Sequence, residues 1–184
     1  MKDYLENIGR ILSRSPIDEL DRAVELLMDA RANDKWIFAA GNGGSAATAS
    51  HFVNDFVKGL SVAGKKRFKV MGLNDCVPVF TAIANDYSYA DIFVEQLKNY
   101  GSEGDLLVVY SGSGNSENIV KAAEYAKSIG MKVLAYTGRD GGKVNDFCDV
   151  NCIAPTNVME EIEDIHMVWE HAFVCGIRER ISAE

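Results

Sequence analysis

Five short apolar stretches, Trp36 to Ala40, Phe68 to Leu73, Leu106 to Tyr110, Val133 to Thr137 and Val150 to Ile153, lack the polar alternation of a half-exposed strand. A strand covered on both faces reads this way, because neither side of the pleat meets water. Between them, apolar positions recur at helical spacing over Ala46 to Lys58, Val77 to Ala84, Asp91 to Tyr100, Glu117 to Ile129 and, more briefly, Lys143 to Phe147. The alternation predicts an α/β fold: a five-stranded parallel sheet between two helical layers, wound with right-handed crossovers.

The ends of the chain are helical in pattern. Leu5, Ile8, Ile11 and Leu12, then Leu20, Val24, Leu27 and Met28, share a face, and Ser15-Pro16 marks a break or restart between them. A final helix is predicted from about Asn157 to Ile181, longer than one sheet face requires. Together with the N-terminal helix it offers surface for packing against other subunits. With 184 residues, 47% hydrophobic and 25% charged, one domain over residues 1–184 is expected. No stretch approaches the ~20 apolar residues of a membrane span, and the acidic, amphipathic start does not read as a signal peptide, so a cytoplasmic protein is expected. The net charge of −8, with Lys65-Lys66-Arg67 as the only compact basic cluster, speaks against a nucleic-acid partner. Cys76, Cys148, Cys152 and Cys175 form no CxxC pair and are read as structural thiols.

Two strand-to-helix turns carry the candidate chemistry. Gly41-Asn42-Gly43-Gly44-Ser45 follows the first apolar run, and Ser111-Gly112-Ser113-Gly114-Asn115-Ser116 follows the third. Helix N-termini hold unpaired N–H groups and partial positive charge, which suits an anion and above all a phosphate. Ser and Asn also cap helices routinely, so one such turn is compatible with connection chemistry alone. Two of the same build imply a shared ligand at the carboxyl ends of parallel strands.

The ordered blocks Gly41 to Ala47 with His51-Phe52, Thr81 to Tyr87, Ser111 to Ser116, Thr137 to Gly142, and a last helix bearing His166 and His171 span nearly the whole chain. In these the sequence resembles the sugar isomerase (SIS) domain family and, within it, the phosphoheptose isomerases. The resemblance implies a flavodoxin-like homotetramer with active sites at subunit interfaces, converting a ketose phosphate such as sedoheptulose 7-phosphate to the aldose, for heptose precursors of surface glycans. It places phosphate and sugar contacts at Asn42, Gly43, Gly44 and Ser45, at Asn85 and Asp86, and at Ser111, Gly112, Ser113 and Ser116. It further implies zinc, held at the positions of His51, Asp55, Glu163 and His171. Asp55 stands where the family usually has Glu, Glu163 where it has Gln, Gly112 where Thr is common, and Glu161 where an Arg is expected. Isomerases of other phosphosugars and non-catalytic regulators of replication initiation are the alternatives within the same family.

From the residues alone, His51 and Asp55 at i and i+4 share a helix face, a spacing that suits a metal site, a base oriented by a second group, or a plain surface pair. Glu163 and His171, eight apart, stand roughly 12 Å from each other along one helix, too far to ligate a single ion. A broken helix or a neighbouring subunit must intervene if they act together. Isomerisation needs proton carriers, for which His171 and a carboxylate, Asp55 or Glu163, are the candidates. His166 is read as a satisfied core or interface histidine, and Trp36 and Trp169 as packing residues.

Overall fold

The computed structural model describes residues 1–184. Its sheet consists of β1 (Trp36–Gly41), β2 (Lys69–Gly72), β3 (Leu106–Ser111), β4 (Lys132–Gly138) and β5 (Val150–Ala154), all parallel, in the order β2-β1-β3-β4-β5. The chain runs outward to β2 from β1 and then returns to β3 on the other side. The crevice between the carboxyl ends of β1 and β3 is therefore the point where the winding reverses, the place at which open α/β sheets bind ligands.

Seven α-helices cover the sheet: α1 (Lys2–Leu12), α2 (Ile17–Ala32), α3 (Gly44–Asn54), α4 (Val77–Asp86), α5 (Val94–Tyr100), α6 (Glu117–Ser128) and α7 (Met159–Ala183). Alternate strand residues feed two separate cores. Ile37, Ala39, Val108, Tyr110, Leu134 and Tyr136 pack under α1, α2, α3 and α7. Phe38, Ala40, Leu107, Val109, Val133 and Ala135 pack under α5 and α6. Both sheet faces are thus dry, which accounts for the unbroken apolar runs. The break at Ser15-Pro16 is real: α1 and α2 are separate helices, and Ser15 Oγ accepts a hydrogen bond from the buried Trp169 indole of α7 at 2.8 Å.

Several expectations are corrected. The helix predicted to Lys58 stops as an α-helix at Asn54 and continues as a π-helical turn, Asp55–Gly59. The stretch from Asp91 divides into a 3₁₀ turn, Tyr89–Asp91, and α5; Lys143–Phe147 is also 3₁₀. Trp36, expected in packing, is 38% exposed at the start of β1, where it stacks on Phe38. Although rich in apolar residues, α4 has none that is fully buried.

His166 lies in the larger core, 1% exposed, with a ring nitrogen 2.9 Å from the Thr137 carbonyl, so the Nε2–H donates there. Burial lowers its pKa to about 4, with the Thr137 bond acting the other way. A base with a depressed folded pKa is neutral when buried but takes up a proton on unfolding. Its neutral form favours the fold fully above the unfolded value near 6.5, and that contribution is lost as pH falls through about 4. Urea unfolding of wild type and His166→Gln across pH 4 to 7.5 is expected to show a shallower acid decline in the variant. The difference in pH dependence between the two proteins should reach on the order of 3 kcal/mol.

Candidate functional site

The turn after β1 is built by backbone approach. A Cβ on Gly41 would collide with the Ser45 carbonyl, and Gly43 takes φ +56 before α3 begins. The Asn74 side chain clamps the same point, accepting from Gly41 N–H at 3.1 Å and donating to Gly41 C=O at 2.8 Å. The turn after β3 is locked to the loop after β4. Gly114 has φ +63, and a Cβ there would strike the Gly141 carbonyl. Val144 N–H donates to Gly114 C=O at 3.0 Å, and Asn115 Oδ1 accepts from Lys143 N–H at 3.1 Å.

Between the two turns is a cavity of about 280 Å³, lined by Asn42, Gly43, Gly44, Ser45, Ser111, Gly112, Ser113 and Ser116, and also by Tyr110, Met159 and Glu163. Eight of the ten sequence-predicted substrate contacts therefore meet in one place. The N-termini of α3 and α6 both open into it, and no Lys, Arg or His lines its wall. An anion held here would meet backbone N–H groups and hydroxyls and no cationic side chain. Asn85 and Asp86 do not line the cavity; they sit at the exposed end of α4, where Asn85 Nδ2 donates to Asp86 Oδ1 at 2.8 Å.

The proposed metal set divides. His51, Asp55 and His171 come together, their ligand atoms all within 4.8 Å of one another. The two imidazole Nε2 atoms are 3.0 Å apart, and Asp55 Oδ2 is 3.5 Å from that of His51 and 3.8 Å from that of His171. Glu163 belongs to the cavity instead, with its carboxylate against Gly44. Because α7 is continuous from Met159 to Ala183, no break in the helix brings Glu163 to His171.

Helices α3 and α7 explain both groupings. They run parallel and in contact: Gly44 meets Glu163, His51 meets His171, and Arg178 Nε donates to Gly59 C=O at 3.2 Å. Cavity and cluster are thus opposite ends of the same two-turn segment of one helix pair, about 11 Å apart at 1.5 Å per residue. Two imidazole nitrogens and one carboxylate oxygen suit a first-row divalent ion. A tetrahedral zinc with bonds of about 2.0–2.2 Å holds its donors about 3.4 Å apart, close to the spacing here, so the three residues fit zinc and leave a fourth position open.

Sequence reasoning missed several residues of the site. Glu170 is buried beside this cluster, both its oxygens lack hydrogen-bond partners, and desolvation, with the Asp55 charge adding, pushes its pKa up to about 8. An acidic residue at an apolar position of α7 was the one available signal. Asn74, Tyr89 and Asn118 act through partners far along the chain, which spacing does not reveal.

The chain belongs to the SIS domain family, whose sequence profile matches residues 3–138. It is 35% identical over 180 residues to the phosphoheptose isomerase of Aliarcobacter butzleri, covering 96% of this chain and 94% of that protein. To the phosphoheptose isomerase of Clostridium acetobutylicum it is 37% identical over 181 residues, covering 98% and 91%. The solved phosphoheptose isomerase from Neisseria gonorrhoeae superposes with a TM-score of 0.88 at 32% identity over 96% of this chain and 95% of that one. The enzyme from Francisella tularensis gives 0.90 at 26% identity, over 97% and 96%.

The glycines of the first turn separate backbone from side-chain constraints. In Gly41→Ala the new methyl meets backbone, so urea unfolding should show a loss on the order of 2–3 kcal/mol. In Gly44→Ala the new methyl stands 2.5–2.6 Å from the free end of the Glu163 side chain, which can swing away. That variant should unfold within about 0.5 kcal/mol of wild type while displacing the carboxylate from the cavity, visible in a crystal structure.

Proposed function

We propose that this protein is an aldose–ketose isomerase acting on a phosphosugar, with sedoheptulose 7-phosphate as its substrate and a heptose 7-phosphate as product. The observation that carries the reading is the pair of parallel helices that joins a cradle of N–H and hydroxyl donors to a His-Asp-His cluster. The relatives named phosphoheptose isomerase support the same substrate.

In this reading the N-termini of α3 and α6, with Ser45, Ser111, Ser113 and Ser116, hold the phosphate, and Asn42 contacts the sugar. The isomerisation moves a proton from C1 of the ketose to C2 through an enediol, while the hydroxyl proton on O1 is exchanged for one on O2. One carboxylate takes the proton from carbon, and His171 serves the oxygens, since imidazole donates and accepts near neutral pH. Glu163 is the proposed base, because its carboxylate already enters the cavity; α7 is unbroken and holds its own His171 two turns away, so the His171 that works with it comes from a neighbouring subunit. Asp55, 18% exposed, orients the imidazoles.

Zinc, where bound, would be held by His51, Asp55 and His171 and would supply the stabilisation of charge on the sugar oxygens that His171 supplies as a proton carrier when its Nε2 is free. The two histidines are 41% and 52% exposed on this chain. That exposure supports a homotetramer in which a neighbouring subunit closes over the cluster, with α1 and α7 as packing surfaces and Asn85 and Asp86 reaching a partner's site.

Incubation with sedoheptulose 7-phosphate in deuterated water is expected to place deuterium at C2 of the aldose product. His171→Asn and Glu163→Gln should each lower kcat by about 100-fold or more, and Asp55→Asn by less. Full activity in Glu163→Gln would remove it as the base. Elemental analysis should find about one zinc per chain in wild type and a large loss in His51→Ala.

A further inference from the structure

We infer that Asn118, a residue that does not line the phosphate cradle, is a positioning residue that fixes the face Asn42 presents to the substrate. The inference rests on the isomerase reading for its consequence in turnover, but its geometry stands independently. Asn42 borders the cradle and also a second cavity lined by Tyr89, Ala90, Ser116, Glu117 and Asn118. Asn42 therefore stands in the wall of both spaces.

The side-chain amides of Asn42 and Asn118 form a reciprocal pair. Asn42 Nδ2 donates to Asn118 Oδ1 at 2.9 Å, and Asn118 Nδ2 donates to Asn42 Oδ1 at 2.8 Å. Such a pair has two equally good settings, related by flipping both amides, and an outside group must choose between them. The chooser is the backbone N–H of Ile119, which can only donate and lies 2.9 Å from Asn118 Oδ1. With Asn118 oriented by its own helix, Asn42 has one setting left. Its Oδ1 is then filled by Asn118 and by the Tyr89 hydroxyl, which donates at 2.8 Å. One Nδ2 hydrogen of Asn42 remains, so the residue offers the ligand a donor and no acceptor.

Asn118 is 2% exposed, and in water the pair would exchange partners freely; burial makes the choice costly to reverse. The arrangement ties the turn after β1 to the first turn of α6, and hence the two halves of the cradle to each other. A donor held in this way suits a sugar hydroxyl or phosphate oxygen as acceptor.

The test compares kcat and KM for sedoheptulose 7-phosphate in wild type, Asn118→Ala, Asn118→Asp, Tyr89→Phe, Asn42→Ala and the Asn42→Ala/Asn118→Ala double variant. Asn118→Ala should lower kcat/KM on the order of 10–100-fold. Asn118→Asp should not restore it, because the carboxylate keeps the acceptor but loses the donor that holds Asn42 Oδ1. The double variant should be no worse than Asn42→Ala alone, as expected when one residue acts through the other. Wild-type kcat/KM in Asn118→Ala, or losses that simply multiply in the double variant, would overturn the proposal. Should Asn118→Ala fail to fold, Tyr89→Phe, on an exposed side chain, carries the test with a smaller loss of the same kind. Side-chain amide NMR separates this inference from the functional reading, since it needs no turnover. In wild type the Asn42 Nδ2 hydrogen that faces Asn118 should be slow to exchange, and in Asn118→Ala, which removes its acceptor, it should exchange at least about tenfold faster. An unchanged Asn42 amide sinks the positioning role even if the enzyme is active; a changed amide in a protein inert toward the sugar sinks only the isomerase reading.

Discussion

The parallel contact of α3 with α7 is the constraint on which the site depends. One helix begins at the cradle and the other passes it, and both then run two turns to the cluster. The distance from the cradle to His51 and His171 is therefore set by helical rise and not by loops. The contact is held from below by Phe52, Ile162, Ile165 and Trp169, all in the core that covers the sheet face under these helices. Each side chain of the cluster consequently inherits its placement from apolar packing, which is stiff and close to volume-conserving.

The fold was legible because both faces of the sheet are covered. Apolar runs such as Leu106 to Tyr110 carry no ambiguity when every residue in them is buried, as these are. The start of β1 was the exception, since Trp36 has the composition of a core residue but stands at the sheet's edge of burial. The Asp55–Gly59 turn was invisible for a different reason: Asp-Phe-Val-Lys-Gly is compatible with an ordinary helix, and only the packing of Phe56 and Leu60 demands the wider winding.

The cradle was legible because its chemistry is local. Each half is a strand end, a glycine turn and a helix start, contiguous in sequence. The residues that orient it are not local. Asn74 reaches back 33 residues to Gly41, and Asn118 reaches 76 to Asn42. Nothing in either one's neighbourhood distinguishes such an asparagine from a loop or cap residue. The separation of Glu163 from His171 could be foreseen from helical rise, whereas the continuity of α7 that makes the separation strict had to be seen.

The π-helical turn has an effect on how the chain can vary. It contains one residue more than the α-helical turn it replaces. An α-helical step of four overshoots a full circle by about 40°, and the wider turn falls short of one, so Phe52, Phe56 and Leu60 stay in file toward the interior. The spare residue uncouples the two halves of the segment: Asp55 takes its direction from the winding before it, while the hydrophobic anchors take theirs from the winding after. Selection can therefore alter the acid at this point, or its reach, without repacking the floor beneath.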